Sequence, residues 1–184
     1  LLDPKPGERV FDACAGAGGK SLHLAALMKN KGKIISLDVE ERKLQELKIR
    51  NRRAGVDIVE TRLIDSTKTI KRLSEACDAL LLDVPCSGLG VWRRNPDARW
   101  KMTKENINEL MNTQKHIITN YSDMVKPGGR MVYATCSLLP SENERPVEEF
   151  LKSHSEWDKK EELRLWPDRD GFDGFYMCLL HKKA

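Results

Sequence analysis

Two apolar, strand-like runs each lead straight into a cysteine motif. Ala79-Leu80-Leu81-Leu82 precedes Asp83-Val84-Pro85-Cys86-Ser87-Gly88, and Arg130-Met131-Val132-Tyr133 precedes Ala134-Thr135-Cys136-Ser137. Continuous apolar runs of this length fit strands buried on both faces, as in a parallel sheet. Open α/β sheets take their ligands at the carboxyl ends of their strands. Both thiols are therefore predicted at a ligand-bearing edge. A third segment, Val10-Phe11-Asp12-Ala13-Cys14-Ala15-Gly16-Ala17-Gly18-Gly19-Lys20, reads as strand, glycine-rich turn and helix start. Together the three segments point to a cofactor-dependent enzyme with cysteine chemistry.

The rest of the chain alternates in the same way. Strands are predicted at Arg9–Ala13, Lys33–Asp38, Ile58–Leu63, Ala79–Asp83 and from about Arg130 to Thr135. Helices are predicted at Lys20–Met28, Glu40–Ala54, Lys68–Ser74 and Lys104–Val125. Gly55 is a plausible stop for the second helix. Ile107, Leu110, Met111, Gln114, Ile118, Tyr121 and Val125 keep helical spacing and read as a packing stripe. Lys126-Pro127-Gly128-Gly129 ends the long helix. Ser141 and Glu144 form a capping-box pattern for a further helix reaching about Ser153. Glu162–Leu165 and Phe175–Leu180 are the last strand candidates. This order argues for an α/β fold with a parallel-rich sheet.

Composition narrows the class. The chain has 184 residues and a formal net charge of +4, with a third of its residues charged. That length suits one domain, residues 1–184, with a real core. No apolar run approaches the roughly 18–20 residues of a membrane span, and no signal peptide is visible. The five cysteines form no Cys-x-x-Cys pair, and the four histidines are scattered. Reduced thiols in the cytoplasm, with no metal, no membrane and a monomeric state, are the expectation. The chain begins at Leu1 without methionine and enters its first strand almost at once, so a fragment is expected.

The glycine turn allows close approach of a ligand to the backbone, and it presents helix-start amides to it. Asp38 ends the following strand, where an acid accepts hydrogen bonds from ribose hydroxyls. Asp65 follows the next strand and could accept from an adenine amino group. The plain structural alternatives are a tight turn, a helix cap at Asp38 and a turn residue at Asp65. Taken alone, the pattern suits either S-adenosylmethionine or a nicotinamide cofactor; strict Gly-x-Gly-x-x-Gly spacing is absent. The loop from Val84 to Met102 carries Arg93, Arg94, Arg99 and Lys101 among Trp92 and Trp100. Guanidinium groups suit phosphates and aromatics suit unpaired bases. A solvated loop anchored by its tryptophans is the alternative.

These segments resemble one family: the S-adenosylmethionine-dependent RNA (cytosine-5)-methyltransferases of the RsmB/Sun type. The resemblance rests on the Cys14–Lys20 loop, on Asp83–Gly88 with Gly90 to Trp100, and on Tyr133–Ser137 with Pro140-Ser141-Glu142-Asn143-Glu144. It ends in Asp173-Gly174-Phe175. Ala17 stands where many members carry proline. The resemblance implies a class I methyltransferase (Rossmann-like) three-layer sandwich, its sheet mostly parallel with an antiparallel last strand. It implies S-adenosylmethionine held by Cys14, Ala15, Gly16, Ala17, Gly18, Gly19, Lys20, Asp38, Asp65 and Asp83. Cys136 would be the nucleophile, adding to carbon 6 of cytosine so that carbon 5 can take the methyl group. Cys86 would assist release of the product, and Asp83 would contact the cytosine edge or the cofactor. Arg93, Arg94, Arg99 and Lys101 would contact RNA, ribosomal in preference to transfer RNA, and the resemblance implies that the chain is a fragment lacking an N-terminal RNA-binding region. Cys77 and Cys178 read as structural. A non-catalytic RNA-binding module on the same fold and a nicotinamide-dependent oxidoreductase are the competing classes. The former leaves both motif cysteines idle, and the latter leaves the pair unexplained.

Overall fold

The computed structural model describes residues 1–97, 100 and 102–184. Arg99 and Lys101, two of the four basic residues expected to meet RNA, lie outside the described residues. The order of elements is β1 (Arg9–Asp12), α1 (Gly19–Leu27), β2 (Lys33–Asp38), α2 (Glu41–Ala54), β3 (Val59–Leu63), α3 (Thr67–Lys71) and β4 (Cys77–Asp83). Then come α4 (Lys104–Tyr121), β5 (Val125–Thr135), α5 (Glu144–Ser153), β6 (Trp157–Leu165), α6 (Pro167–Asp170) and β7 (Phe175–Lys182). The seven strands form one sheet in the order β3-β2-β1-β4-β5-β7-β6. Pairing is parallel from β3 to β5, and β7 runs antiparallel to both β5 and β6. This is the mostly parallel sheet with an antiparallel last strand that the resemblance implies.

Both faces of the sheet are covered, which explains the unbroken apolar runs. Side chains alternate across a strand, and neighbours in sequence enter different cores. Phe11, Ile35, Leu80, Leu82, Met131 and Tyr133 pack on one face with Ile117, Ile118 and Tyr121 of α4 and Val147 and Phe150 of α5. Val10, Ile34, Leu81 and Val132 pack on the other with Leu24, Ala25 and Met28. Strand β7 keeps the same alternation: Tyr176, Cys178 and Leu180 face the first core, and Phe175, Met177 and Leu179 the second. The result is a three-layer sandwich. No helix among the described residues is long and apolar enough to cross a membrane.

The structure corrects three local expectations. Val125 is not the last residue of the long helix. Helix α4 ends at Tyr121, a 3-10 turn covers Ser122–Met124, and Val125 already pairs with Cys77 in the sheet. The Lys126–Gly129 segment is an excursion within β5, where a register shift interrupts pairing between Cys77 and Ala79. Ser141 and Glu144 do not form a capping box: α5 begins after Asn143 with no side-chain cap. Glu144 instead pairs with Arg164. A capping box does form at Thr103 and Asn106, at the start of α4. Finally, β6 begins at Trp157, five residues before Glu162. Its charged start, Asp158-Lys159-Lys160-Glu161, suits the outer edge strand of the sheet.

Gly18 ties the glycine turn to α2, where Leu44 and Leu47 pack on Ala15 in a small cluster of their own. It caps α1 in the left-handed region at φ 85°, and a Cβ there would lie 1.9 Å from Cδ1 of the fully buried Leu47. Gly18→Ala is expected to lose about 2–5 kcal/mol, combining the left-handed penalty with overpacking. Urea unfolding measures this. A loss below about 1 kcal/mol would show that Leu47 yields freely.

Candidate active site

The carboxyl ends of β1, β2, β4 and β5 open onto a single cleft of about 630 Å³. Cys14 and Gly16 after β1, Asp38 of β2 and Asp65 after β3 line one part of it. Asp83, Cys86 and Cys136 line the other. The sheet thus brings the glycine turn, three candidate acids and both motif cysteines to one place.

The glycine-turn end is held by Asp38. Its Oδ2 accepts a hydrogen bond from the Gly16 amide at 2.8 Å, and its Oδ1 accepts from the Glu40 amide at 2.9 Å. Asp38 therefore ties the turn to the segment leading into α2, and its carboxyl oxygens retain further lone pairs toward the cleft. The Ala17 carbonyl accepts from Arg50 at 2.9 Å, fixing the turn from α2. Ala15 is buried against Leu44 and Leu47, while Gly19 and Lys20 open α1. Beneath the turn, burial pushes the carboxyl group of Asp12 up to about 6. Asp65 accepts from Thr69 Oγ1 at 2.7 Å and from Ser66 at 3.1 Å. Its side chain thus serves the start of α3 while lining the cleft. Lys20 does not point out to solvent alone. Its ammonium pairs with Asp83, across from α1 to the end of β4, and lies 5.5 Å from the Phe175 ring centroid.

At the other end, the sulfurs of Cys86 and Cys136 are 3.3 Å apart. The contact with Cys86 lowers the Cys136 thiol below its ordinary range against burial and the Asp83 carboxylate, and the Lys20 ammonium adds a smaller pull in the same direction. That contact and then burial push Cys86 up. Of the two sulfurs, Cys136 is thus the one shifted toward the thiolate and Cys86 the one shifted away from it. Burial pushes the other three thiols up, Cys178 to about 12. Among the five cysteines, only Cys136 is drawn toward the thiolate, the reactive form.

One residue given no role by the sequence reasoning sets this geometry. Glu142 is fully buried. Its Oε1 accepts from the Ser87 amide at 2.8 Å and from Gln114 Nε2 at 3.0 Å. Its Oε2 accepts from the hydroxyls of Ser87 and Ser137, the residues that follow the two cysteines. Gln114 also donates to the Pro85 carbonyl at 2.9 Å. Asn143, also fully buried, accepts from Thr135 and donates to the Ser137 carbonyl at 3.0 Å. The only sequence signal for Glu142 was its place in the Pro140–Glu144 segment. Arg93 and Arg94 of the following loop lie outside the cleft, exposed, with Asp173 as their partner at 3.7 and 2.7 Å.

A family model described as 16S rRNA methyltransferase RsmB/F matches residues 1–181. A probable ribosomal RNA small subunit methyltransferase B of Synechocystis sp. is 42% identical over 85% of this chain and 35% of its own length. Its Bacillus subtilis counterpart is 35% identical over all of this chain and 45% of its own. The chain thus spans less than half the length of these relatives. The crystal structure of NSun6 from Pyrococcus horikoshii with SFG superposes with a TM-score of 0.89. It is 28% identical and covers 100% of this chain and 50% of its own.

Two measurements check the site. Alkylation of Cys136, followed by peptide mass, is expected to reach half its maximal rate below the ~8.5 of a free thiol. In Cys86→Ala that midpoint should rise, because the donated hydrogen bond is gone; an unchanged midpoint would remove Cys86 as the cause. Glu142→Ala strands four buried donors. It should cost about 3–5 kcal/mol in urea unfolding, as breaking a buried polar network does.

Proposed function

We propose that this chain, which belongs to the RsmB/F family of 16S rRNA methyltransferases, methylates carbon 5 of cytosine in RNA through a cysteine adduct. The substrate that fits the relatives' names is ribosomal RNA. The observation that carries the reading is the thiol pair at 3.3 Å, at the end of a cleft that begins at the glycine turn.

The cleft fits S-adenosylmethionine in volume and in donor set. Its glycine-turn end has Asp38 and Asp65 as acceptors for ribose hydroxyls and an adenine amino group. The Cβ position of Gly16 is open space. When bound, S-adenosylmethionine supplies an electrophilic methyl group. Cys136, as thiolate, adds to carbon 6 of the cytosine and makes carbon 5 nucleophilic. Asp83 accepts from the cytosine amino edge, and Lys20, bound to the same carboxylate, offsets negative charge developing on the ring. After methyl transfer the carbon 5 proton leaves to a base, the Cys136–carbon 6 bond breaks and aromaticity returns. Cys86, touching the Cys136 sulfur, assists this release.

Cys136→Ala is expected to reduce methyl transfer to background while the fold persists. Cys86→Ala should still form the adduct and accumulate a protein–RNA band that survives denaturation. That band should vanish in the double variant. Full turnover by Cys136→Ala, or no trapped band in Cys86→Ala, would overturn the assignment of roles.

A further inference from the structure

We propose that a second groove beside the cleft holds unpaired bases of the RNA flanking the target nucleotide; this rests on the RNA reading above. The groove has a volume of about 570 Å³ and lies between the loop after Cys86 and the turn joining β6 to β7. Trp92 and Arg93 come from the first, Trp166, Arg169 and Phe172 from the second, and Leu138 from the segment after Cys136.

Three observations fit this occupant. First, the groove is continuous with the proposed nucleophile. The Gly90 amide donates to the Cys136 carbonyl at 2.9 Å, and the Gly174 amide donates to the Gly90 carbonyl at 2.8 Å. A Cβ at Gly90 would lie 2.2 Å from the Gly174 carbonyl and 2.8 Å from that of Cys136. The groove wall is therefore laid directly on the backbone that carries the thiol. A base drawn out of its stack to reach Cys136 leaves its neighbours unstacked beside this wall. Second, the lining supplies aromatic surface. Phe172 is 65% exposed and Trp92 40% exposed. Third, the aromatics come with guanidinium groups. Arg164 and Arg169 lie 4.8 and 5.7 Å from the Trp166 ring centroid. Arg93 and Arg94 are gathered at the rim by Asp173. Within the groove the guanidinium groups of Arg93 and Arg169 stand beside the carboxylates of Asp168 and Asp173, and Arg94 adds a further guanidinium at the rim. Aromatic faces with nearby arginines bind successive bases of single strands with little sequence preference.

The test uses an unstructured single-stranded RNA heptamer with a central cytidine, and matched heptamers abasic at one flanking position. Affinity is read by anisotropy at fixed salt, alongside methyl transfer, for wild type, Phe172→Ala, Trp166→Ala and Trp166→Phe. Each alanine variant should bind the intact heptamer about 5–150-fold more weakly, the loss of one stacked base. Trp166→Phe should recover most of its loss. At least one abasic heptamer should bind wild type as weakly as the intact RNA binds Phe172→Ala, with no further loss when both changes combine. Equal affinity of Phe172→Ala and wild type, in a variant with unchanged melting temperature, would overturn the proposal. So would a variant loss indifferent to every abasic position. Self-association abolished by Phe172→Ala with RNA affinity untouched would assign the groove to protein contact and also overturn it. Heptamer coupling without any methyl transfer would support the groove while sinking the catalytic reading. Methyl transfer with no coupling would do the reverse.

Discussion

The buried carboxyl group of Glu142 is the interaction on which the thiol pair depends. The two cysteine motifs belong to neighbouring strands, but each loop leaves the sheet on its own path. Glu142 accepts from Ser87 on one loop and Ser137 on the other, and from Gln114 of α4 behind them. The Tyr133 hydroxyl, itself fully buried, donates to the Glu142 carbonyl at 2.7 Å and pins its backbone to β5. Every one of these donors is out of water, so leaving any unpaired costs more than the bond contributes when made. The same saturation that makes the clasp costly to break makes it rigid. A hydrogen bond between two sulfurs at 3.3 Å survives only if both loops are held to within a fraction of an ångström, and the clasp does that.

Rigid placement is also what separates the two sulfurs chemically. Both cysteines end parallel strands that pair Asp83 with Ala134, and by sequence they are near-equivalent: strand, cysteine, serine. The environment breaks the equivalence. The contact between the sulfurs lowers Cys136 and raises Cys86; burial and Asp83 oppose the lowering of Cys136, and Lys20 adds a smaller pull toward its thiolate. The Lys20–Asp83 pair reaches across from α1 to β4, so the glycine turn also influences the thiols through the first turn of the helix it opens.

Most of the fold was legible in the sequence because its signals were local. The apolar runs at Leu80–Leu82 and Met131–Tyr133 could only be doubly buried strands, and the strand-turn-helix at Val10–Lys20 needed only its glycines. What escaped was decided at long range. Trp157–Glu161 looks like a solvated charged stretch and becomes a strand because β7 offers it an edge. Val125 fits the helical stripe of α4, yet its pairing with Cys77 captures it for the sheet. Ser141 and Glu144 have cap spacing, but Arg164 claims the glutamate from β6. Nothing local marks Glu142 as buried, because its partner Ser87 lies 55 residues away. Trp166 and Phe172 gave no sign of meeting Trp92, because only the pairing of β7 with β5 carries the β6–β7 turn to the loop after Cys86.

The two sides of the site are held by interactions of different strength, and this fits what each would have to bind. Asp38, Gly16, Glu142 and the thiols are fixed by buried or half-buried hydrogen bonds, which keep donors and acceptors pointed at a small ligand of constant shape. Arg93 and Arg94 are held by one carboxylate at the surface. Such exposed pairs contribute about 0–1 kcal/mol and weaken with salt. A phosphate can therefore compete for those guanidinium groups at little cost, releasing Asp173 as it does so. RNA approaching this face would meet groups that rearrange around it, while a base entering the cleft would meet groups that do not. On that division, holding the RNA and precision of the chemistry rest on separate parts of one wall, joined through the Gly90 contact to the Cys136 backbone.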